Sequence, residues 1–378
     1  MSVTVQDVHG YVHGVCFKKG PPGTVGAETE WFVSDPARPR EHVPVARLRR
    51  ALAEPLPGGS RVTFEPGGQV ELSSPPADGP EAACAVLGAD LAEARRRLAG
   101  LELVGLGVDP HRPSVLQVED ERYAAMSAYF GDLTMMCSTA SVQVCLDIGA
   151  DAAQAARRWR LAHLLGPVLV AAFANSPLRH GRRTGHVSTR QAVWARLDRS
   201  RTSAPVGAIP ETAWAEYALD ARVMVIRRDG KWLRDPGFTF RQWIHDGDPT
   251  VEDLRYHLTT LFPPVRPQGW LELRMIDELP EPYWRVPVAV VTALLDRAPD
   301  AAEQAAAPAA GLWALAARDG LRDPVLGRAA VACFEAAIAR LDGPLRALTE
   351  EYAERYVVRG LCPADDVLKE AGEHAWTR

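Results

Sequence analysis

The sequence predicts an α+β protein, a mostly antiparallel β-sheet with helices segregated to one side. Three observations predict it. Segments of alternating apolar and polar residues recur at irregular spacing between residues 24 and 277, with no regular strand–helix rhythm and no internal repeat. In three of those segments the polar members are carboxylates, guanidinium or amide groups on one face. From Pro287 onward the chain becomes Ala-rich and helical, broken by Gly343-Pro344. At about 150 residues per domain the 378-residue length allows two units. No linker separates a sheet-and-site part (1–280) from a mainly helical part (281–378), so one catalytic domain over 1–378 is expected.

The elements follow in order. Residues 24–33 alternate and read as a strand, and residues 40–57, spaced by prolines, as a short helix with a loop. Arg61–Glu65, the turn Pro66-Gly67-Gly68 and Gln69–Ser73 form a hairpin. Pro80 opens a helix to about Ala99, with Cys84, Leu87, Leu91 and Ala94 on one face and Arg95-Arg96-Arg97 at the carbonyl end of the dipole. Leu101–Val108 reads as an apolar strand and Tyr123–Phe130 as a short helix. Ser138–Ile148 reads as a strand with Val142, Val144 and Leu146 on one face and Ser141, Gln143, Cys145 and Asp147 on the other. Asp151 caps a long helix to about Ala174. Asn175-Ser176-Pro177 stops it and begins an Arg- and Gly-rich loop through Thr202. Further strands lie near Val223–Arg227 and Trp270–Ile276.

Composition excludes several classes. With 47% hydrophobic and 24% charged residues the chain is an ordinary globular one, long enough to bury about three quarters of its unfolded surface. A net charge of −5 argues against a nucleic-acid partner. The longest apolar stretch, Leu164–Ala174, has eleven residues and is too short to span a bilayer, and the N-terminus carries no secretion signal. The six cysteines show no C-x-x-C pair or zinc spacing, so reduced thiols in the cytoplasm are expected. No phosphate-binding G-x-x-x-x-G-K-[ST] loop is present, so any ATP is held without one. Of the 43 basic residues only Lys18, Lys19, Lys231 and Lys369 are lysine, a bias of coding composition that leaves anions to guanidinium groups.

The chemistry sits in strand-spaced charges. Glu28 and Glu30 share one face, as do Gln69 and Glu71, with Glu65 just before the hairpin turn. Glu272 and Arg274 share another, while Leu271, Leu273 and Met275 face a core. Such a face can simply be solvated. Alternatively, carboxylates gathered on one sheet call for a hard divalent cation, Mg²⁺ or Mn²⁺, bridging them to phosphates. The arginines of 175–202 then form either an exposed basic loop or a cover over that floor.

Taken together, Gly26-Ala27-Glu28-Thr29-Glu30, FEPGGQVELSS (64–74), TASVQVCLD (139–147), ANSPLRHGRRTGHVSTRQAVWARLDRSRT (174–202), YALD (217–220) and HLTTLFPPVRPQGWLELRMID (257–277) resemble glutamate–cysteine ligases of the plant and bacterial type. The likeness runs in order from about residue 24 to 285 and is greatest to the bacterial branch that begins ergothioneine biosynthesis. It implies a glutamine synthetase-like bowl of antiparallel sheet with helices behind it. It also implies ATP- and Mg²⁺-dependent joining of the glutamate γ-carboxyl to the cysteine amine. By motif position it implies Glu28, Glu30, Glu71 and Glu272 as metal ligands, and Arg274 with Glu272 at the transferring phosphate. Arg190 and Tyr217 fall at the glutamate site, Arg201 at a further anion contact, and Glu65 and Gln143 beside the metals or the cysteine. Ser138 and Cys145 stand where plant-type members carry Arg and Asn, and HVSTR replaces a more hydrophobic version. Glutamate, cysteine and ATP are the partners implied, for a monomer or small homo-oligomer. A ligase accepting another amine, or a non-catalytic amino-acid or nucleotide sensor, are the alternatives.

Overall fold

The computed structural model describes residues 2–375 other than Pro21, Val206 and Asp229. The chain is built around an eight-stranded sheet. Its strands are β1 (Thr24–Ser34), β2 (Arg61–Phe64), β3 (Val70–Ser73), β4 (Ala77–Asp78), β5 (Glu102–Val104), β6 (Ser141–Asp147), β7 (Val265–Pro267) and β8 (Trp270–Asp277). The path across it is β7-β8-β6-β1-β3-β2, with β4 and β5 also pairing with β1. Every pairing is antiparallel.

Register explains why this sheet has two unlike faces. Glu28 lies opposite both Ser73 and Gln143, Glu30 opposite Glu71, and Glu272 opposite Cys145. Cross-strand partners share a face because side chains alternate, so the polar residues of four strands collect together. On the other face Val25, Ala27, Val70, Leu72, Val142, Val144, Leu146, Leu271 and Leu273 are all buried. A slip of one residue in any strand would exchange the two sets.

Four helices position the site: α1 (Gly79–Arg97), α2 (Ala152–Ala172), α3 (Thr189–Arg196) and α4 (Arg285–Thr292). Of these, α1, α2 and α4 pack behind the sheet, against β1, β8 and β6 respectively. Asp151 starts α2 by accepting a hydrogen bond from the Gln154 amide at 2.8 Å. Gly166 in α2 lies flat beneath Trp313, where a Cβ would come within 1.9 Å of the indole. The helical C-terminal part thereby docks on α2. Tyr352 donates to the Ala172 carbonyl at 2.8 Å, and Phe173, Phe334 and Tyr352 pack ring against ring. One apolar cluster runs from Val3 to Val357.

Four segments differ from the sequence reading, each for a local reason. The strand expected over Leu101–Val108 is confined to Glu102–Val104. Beyond it Gly105 runs against the Leu279 carbonyl, where a Cβ would approach to 2.3 Å, and the Gly107 amide donates to the Asn175 carbonyl. The strand expected from Ser138 starts at Ser141, because Thr134–Ser138 forms a helical turn whose first amide is capped by Asp132. The strand near Val223 is Val225–Arg228, and it pairs only with Lys231–Arg234 in a separate hairpin. The arginine-rich segment is not one loop. It holds a short hairpin, Leu178–Arg179 with Arg182–Arg183, then α3 capped by Ser188 and a turn of helix at Arg199–Thr202 capped by Asp198.

Candidate active site

The polar face of the sheet is the floor of a cavity of about 380 Å³. Glu28, Glu30, Glu71, Gln143, Glu272 and Arg274 lie in it, with Glu65 at one side and Arg190 and Trp194 of α3 at another. Met126, Met135, Met136 and Phe262 add an apolar wall that clusters apart from the main core.

Glu65 reaches the floor because of the turn that follows it. Its amide donates to the Gln69 carbonyl at 3.0 Å, and the Gly68 amide donates to the Glu65 carbonyl at 2.8 Å. Gly67 presses on the Cys137 carbonyl, where a Cβ would lie 2.1 Å away, and Gly68 has φ +89°. Both positions therefore demand glycine. The result is that Glu30, Glu65 and Glu71 each present a carboxylate oxygen within 4.8 Å of the others. Glu30 accepts from Ser141 Oγ at 3.0 Å and Gln143 Nε2 at 2.9 Å, and Glu71 accepts from Thr63 Oγ1 at 2.7 Å.

These contacts do not offset burial and mutual repulsion. Burial, then Glu272 and Glu71, push Glu28 up to about 8. Burial and Glu71 push Glu30 to about 7, and Glu65 rises well above the usual carboxylate range from burial, Glu71 and Glu30. Oxygen-only donors that resist carrying their charges side by side fit a hard divalent cation, which supplies the missing positive charge.

Glu272 is in a different state. Burial works against its charge, but Arg266 and Arg274 outweigh it and hold the carboxyl at about 2. It accepts from Arg266 Nε at 2.7 Å, Gln268 Nε2 at 2.9 Å and Arg274 Nη1 at 2.6 Å. Arg274 Nη1 also donates to Gln143 Oε1 at 2.8 Å. The β8–β6 register shifts between Leu273 and Ile276, and this bulge turns Arg274 into the cavity.

Arg190 enters from the first turn of α3 and is 3% exposed. Its Nη2 donates to the Arg274 carbonyl at 2.8 Å, whereas its Nε and the Trp194 Nε1 are buried with no partner. Two unpaired donors in a cavity wall call for an acceptor from a ligand. Asp277, at the end of β8, accepts from the Asn175 amide at 2.9 Å, Ser176 Oγ at 2.6 Å and Ser188 Oγ at 2.9 Å. Ser176 Oγ accepts in turn from the Arg190 amide at 3.1 Å. One buried carboxylate thus ties the strand of Glu272 and Arg274 to the helix of Arg190.

Of the residues expected from the sequence, the structure gathers Glu28, Glu30, Glu65, Glu71, Gln143, Arg190, Glu272 and Arg274 around one cavity. It sets Arg201 and Tyr217 apart from that lining. Arg201 is fully buried, pairs with Asp198 at 3.0 Å and donates to the Thr260 carbonyl at 2.9 Å. Its other contacts are the Arg222 carbonyl and Tyr129, and Tyr217 stacks on Trp214. Arg201 is a framework cation. Arg201→Met should destabilise the fold by about 3–5 kcal/mol through the stranded Asp198 carboxylate and carbonyls. Urea unfolding checks this, and a substrate KM change without loss of stability would contradict it.

His257 belongs to the same framework. It is 3% exposed, bonds the Ala218 carbonyl at 2.8 Å and stacks on Phe240. Burial, with Arg201 nearby, lowers it from 6.5 to about 3. The unfolded chain then binds this proton first, so the contribution is whole above pH 6.5 and is lost as pH falls towards 3, at about 1.4 kcal/mol per unit. Between pH 6.5 and 5 the stability of wild type should fall by about 2 kcal/mol more than that of His257→Gln. Equal slopes would contradict this.

The sequence reading missed Arg266 and Gln268, which hold Glu272, and Asp277, which holds α3. The signal for the first pair was available, since VRP-QG-WLE reads as a hairpin placing Arg266 opposite Glu272. It also missed a second, mostly apolar cavity of about 340 Å³ lined by Gly26, Ala27, Cys145, Leu146 and Trp270, which meets the first at Glu28.

The comparisons with known proteins bear on this arrangement. The profile described as Glutamate-cysteine ligase family 2 (GCS2) matches residues 24–376. The chain belongs to that family. It is 43% identical to the glutamate–cysteine ligase EgtA of Mycobacterium tuberculosis, over 94% of this chain and 88% of the relative. It is 42% identical to EgtA of Mycolicibacterium smegmatis, over 91% and 90%. The solved structure of glutamate–cysteine ligase (gshA) from Francisella tularensis in complex with AMP aligns with TM-score 0.57 and 11% identity, over 94% of this chain and 86% of that one, a likeness of fold alone. The α+β, glutamine synthetase-like class expected from the sequence holds, and the family is one of ATP-dependent ligases.

Proposed function

We propose that this ligase joins the γ-carboxyl of glutamate to the amine of cysteine with ATP, giving γ-glutamylcysteine for ergothioneine biosynthesis. Family membership and the 43% identity to EgtA support the reaction and the pathway. The observation that carries the residue roles is the floor itself, where carboxylates needing a cation stand beside an arginine pair aimed into the same cavity.

Glu30, Glu65 and Glu71 would hold Mg²⁺ or Mn²⁺, with Glu28 and Glu272 beside them towards the apolar cavity. A bound cation would neutralise phosphate charge and orient the transferring group. The apolar cavity fits the nucleotide base, placing the phosphates over Glu28 and Glu272. Arg274, kept rigid by Glu272 and Gln143, offsets charge on the phosphoryl group. The unpaired donors of Arg190 and Trp194 hold a glutamate carboxylate, and the methionine wall suits the soft cysteine side chain. The γ-carboxylate attacks the γ-phosphorus of ATP and ADP leaves. The cysteine amine then displaces phosphate from γ-glutamyl phosphate. Both steps depend on positioning and charge rather than on a protein nucleophile.

Glutamate labelled with ¹⁸O in the γ-carboxyl tests this sequence. One label atom per turnover should appear in inorganic phosphate, and unlabelled phosphate would contradict acyl-phosphate formation. The reading includes a single catalytic domain over 1–378, supported by the shared apolar cluster, acting in the cytoplasm as a monomer or small homo-oligomer without nucleic acid. No helix among the described residues is long and apolar enough to cross a membrane.

A further inference from the structure

On the far side of α3 lies a cavity of about 490 Å³ that the proposed reaction does not use. Arg196, Arg199 and His186 line it together with Gln191, Thr202 and Trp313, and no carboxylate is among its lining residues. Arg196 and Arg199 make no ion pair among the described residues, whereas nearby Arg318 and Arg201 are each held by an aspartate. A concave surface with two unpaired guanidinium groups, an imidazole and hydroxyl or amide donors is built for an oxyanion.

This cavity is joined to the catalytic one. Between them is a neck of about 20 Å³, room for one water molecule. Gln191, Thr202 and Pro264 belong to both the neck and the outer cavity. Arg190, Trp194, Phe262 and Arg274 belong to both the neck and the catalytic cavity. The buried, unpartnered Arg190 Nε and Trp194 Nε1 therefore stand where the two spaces meet. A line of donors runs from Arg274 through Arg190 to Arg196 and Arg199. The catalytic floor, by contrast, carries five glutamates.

We propose that the outer cavity is an oxyanion vestibule and that inorganic phosphate leaves the catalytic cavity through this neck. The inference rests on the ligase reading, since that reaction supplies the phosphate. Leaving on this side exchanges one guanidinium contact for the next, while the other direction passes the carboxylate floor. The neck widens for passage by movement of the half-buried Gln191 and Trp194 side chains.

The test uses the full-length enzyme and the double variant Arg196→Ala/Arg199→Ala. With glutamate and a non-hydrolysable ATP analogue filling the catalytic cavity, phosphate titrated by calorimetry should still bind wild type, and about tenfold or more weakly to the variant. In single turnovers followed with a fluorescent phosphate sensor, the variant should form γ-glutamylcysteine at the wild-type rate and release phosphate severalfold more slowly. No residual phosphate binding in wild type, or equal binding in both proteins, would overturn the vestibule. Unchanged release with weakened binding would overturn the exit route. Glutamate titrated in place of phosphate separates a carboxylate site from a phosphate site, and preference for glutamate would overturn the assignment. Absence of product in wild type would instead sink the ligase reading, a distinct failure.

Discussion

Arg274→Ala is expected to lower turnover by about 10³-fold, by analogy with arginines that stabilise phosphoryl transfer. Its guanidinium is held by Glu272 Oε1 at 2.6 Å and Gln143 Oε1 at 2.8 Å, on a bulge that aims it into the cavity. The charge is thus preorganised before substrate arrives, and no reorganisation is needed as the transition state forms. The loss should appear in kcat more than in the KM for ATP, because the contact strengthens only as phosphoryl charge redistributes. Arg274→Lys keeps the charge but cannot satisfy Glu272 and Gln143 together, so it should restore only part of the activity. Steady-state kinetics on both variants, with thermal unfolding as control, decides the matter. A tenfold or smaller loss in Arg274→Ala would place the arginine away from the phosphoryl group.

Glu71→Gln should have the second large effect, with opposite signs on stability and activity. Glu71 helps to raise Glu28, Glu30 and Glu65. Because the folded values of about 8 and 7 for Glu28 and Glu30 exceed the model-peptide 4.5, the folded metal-free protein binds more protons than the unfolded chain above pH 4.5. Its stability accordingly falls as pH rises from 4.5 through 8. Removing the Glu71 charge lessens that fall, so metal-free Glu71→Gln should melt higher than wild type at pH 8. The Mg²⁺ concentration for half-maximal activity should meanwhile rise by about 100-fold, since a ligand oxygen and a negative charge are lost together. Melting scans with EDTA and with Mg²⁺ at pH 6 and 8 read both effects. In wild type the stabilisation by Mg²⁺ should be larger at pH 8, where protons compete less. A variant that is less stable without metal, or that keeps its Mg²⁺ requirement, would show that Glu71 is not part of the cation site.

The sheet was largely legible because its signal is local. Alternation in TVGAETEWFV and WLELRMID fixes which side chains share a face, and strand pairing only has to bring those faces together. The three-carboxylate cluster was partly legible. Glu30 and Glu71 stood on strands, but the closeness of Glu65 depends on Gly67 lying against the Cys137 carbonyl, a contact across sequence that no pattern displays. Glu272 illustrates the opposite case. Its strand and face were readable, yet its charge state is set by Arg266 and Gln268 from the preceding strand and turn. Arg190 and Arg201 lie in one arginine-rich run and look alike in sequence. Helix α3 turns the first into the cavity, and Asp198 with the carbonyls of Thr260 and Arg222 takes the second into the framework. Composition offered no way to separate them.

The most direct measurement is an incubation of the purified protein with glutamate, cysteine, ATP and Mg²⁺, following ADP, phosphate and the condensed product by mass. The account predicts one γ-glutamylcysteine, one ADP and one phosphate per turnover, dependent on both amino acids and abolished by EDTA. A folded protein that makes no γ-glutamylcysteine, or that releases AMP and pyrophosphate instead, would contradict it.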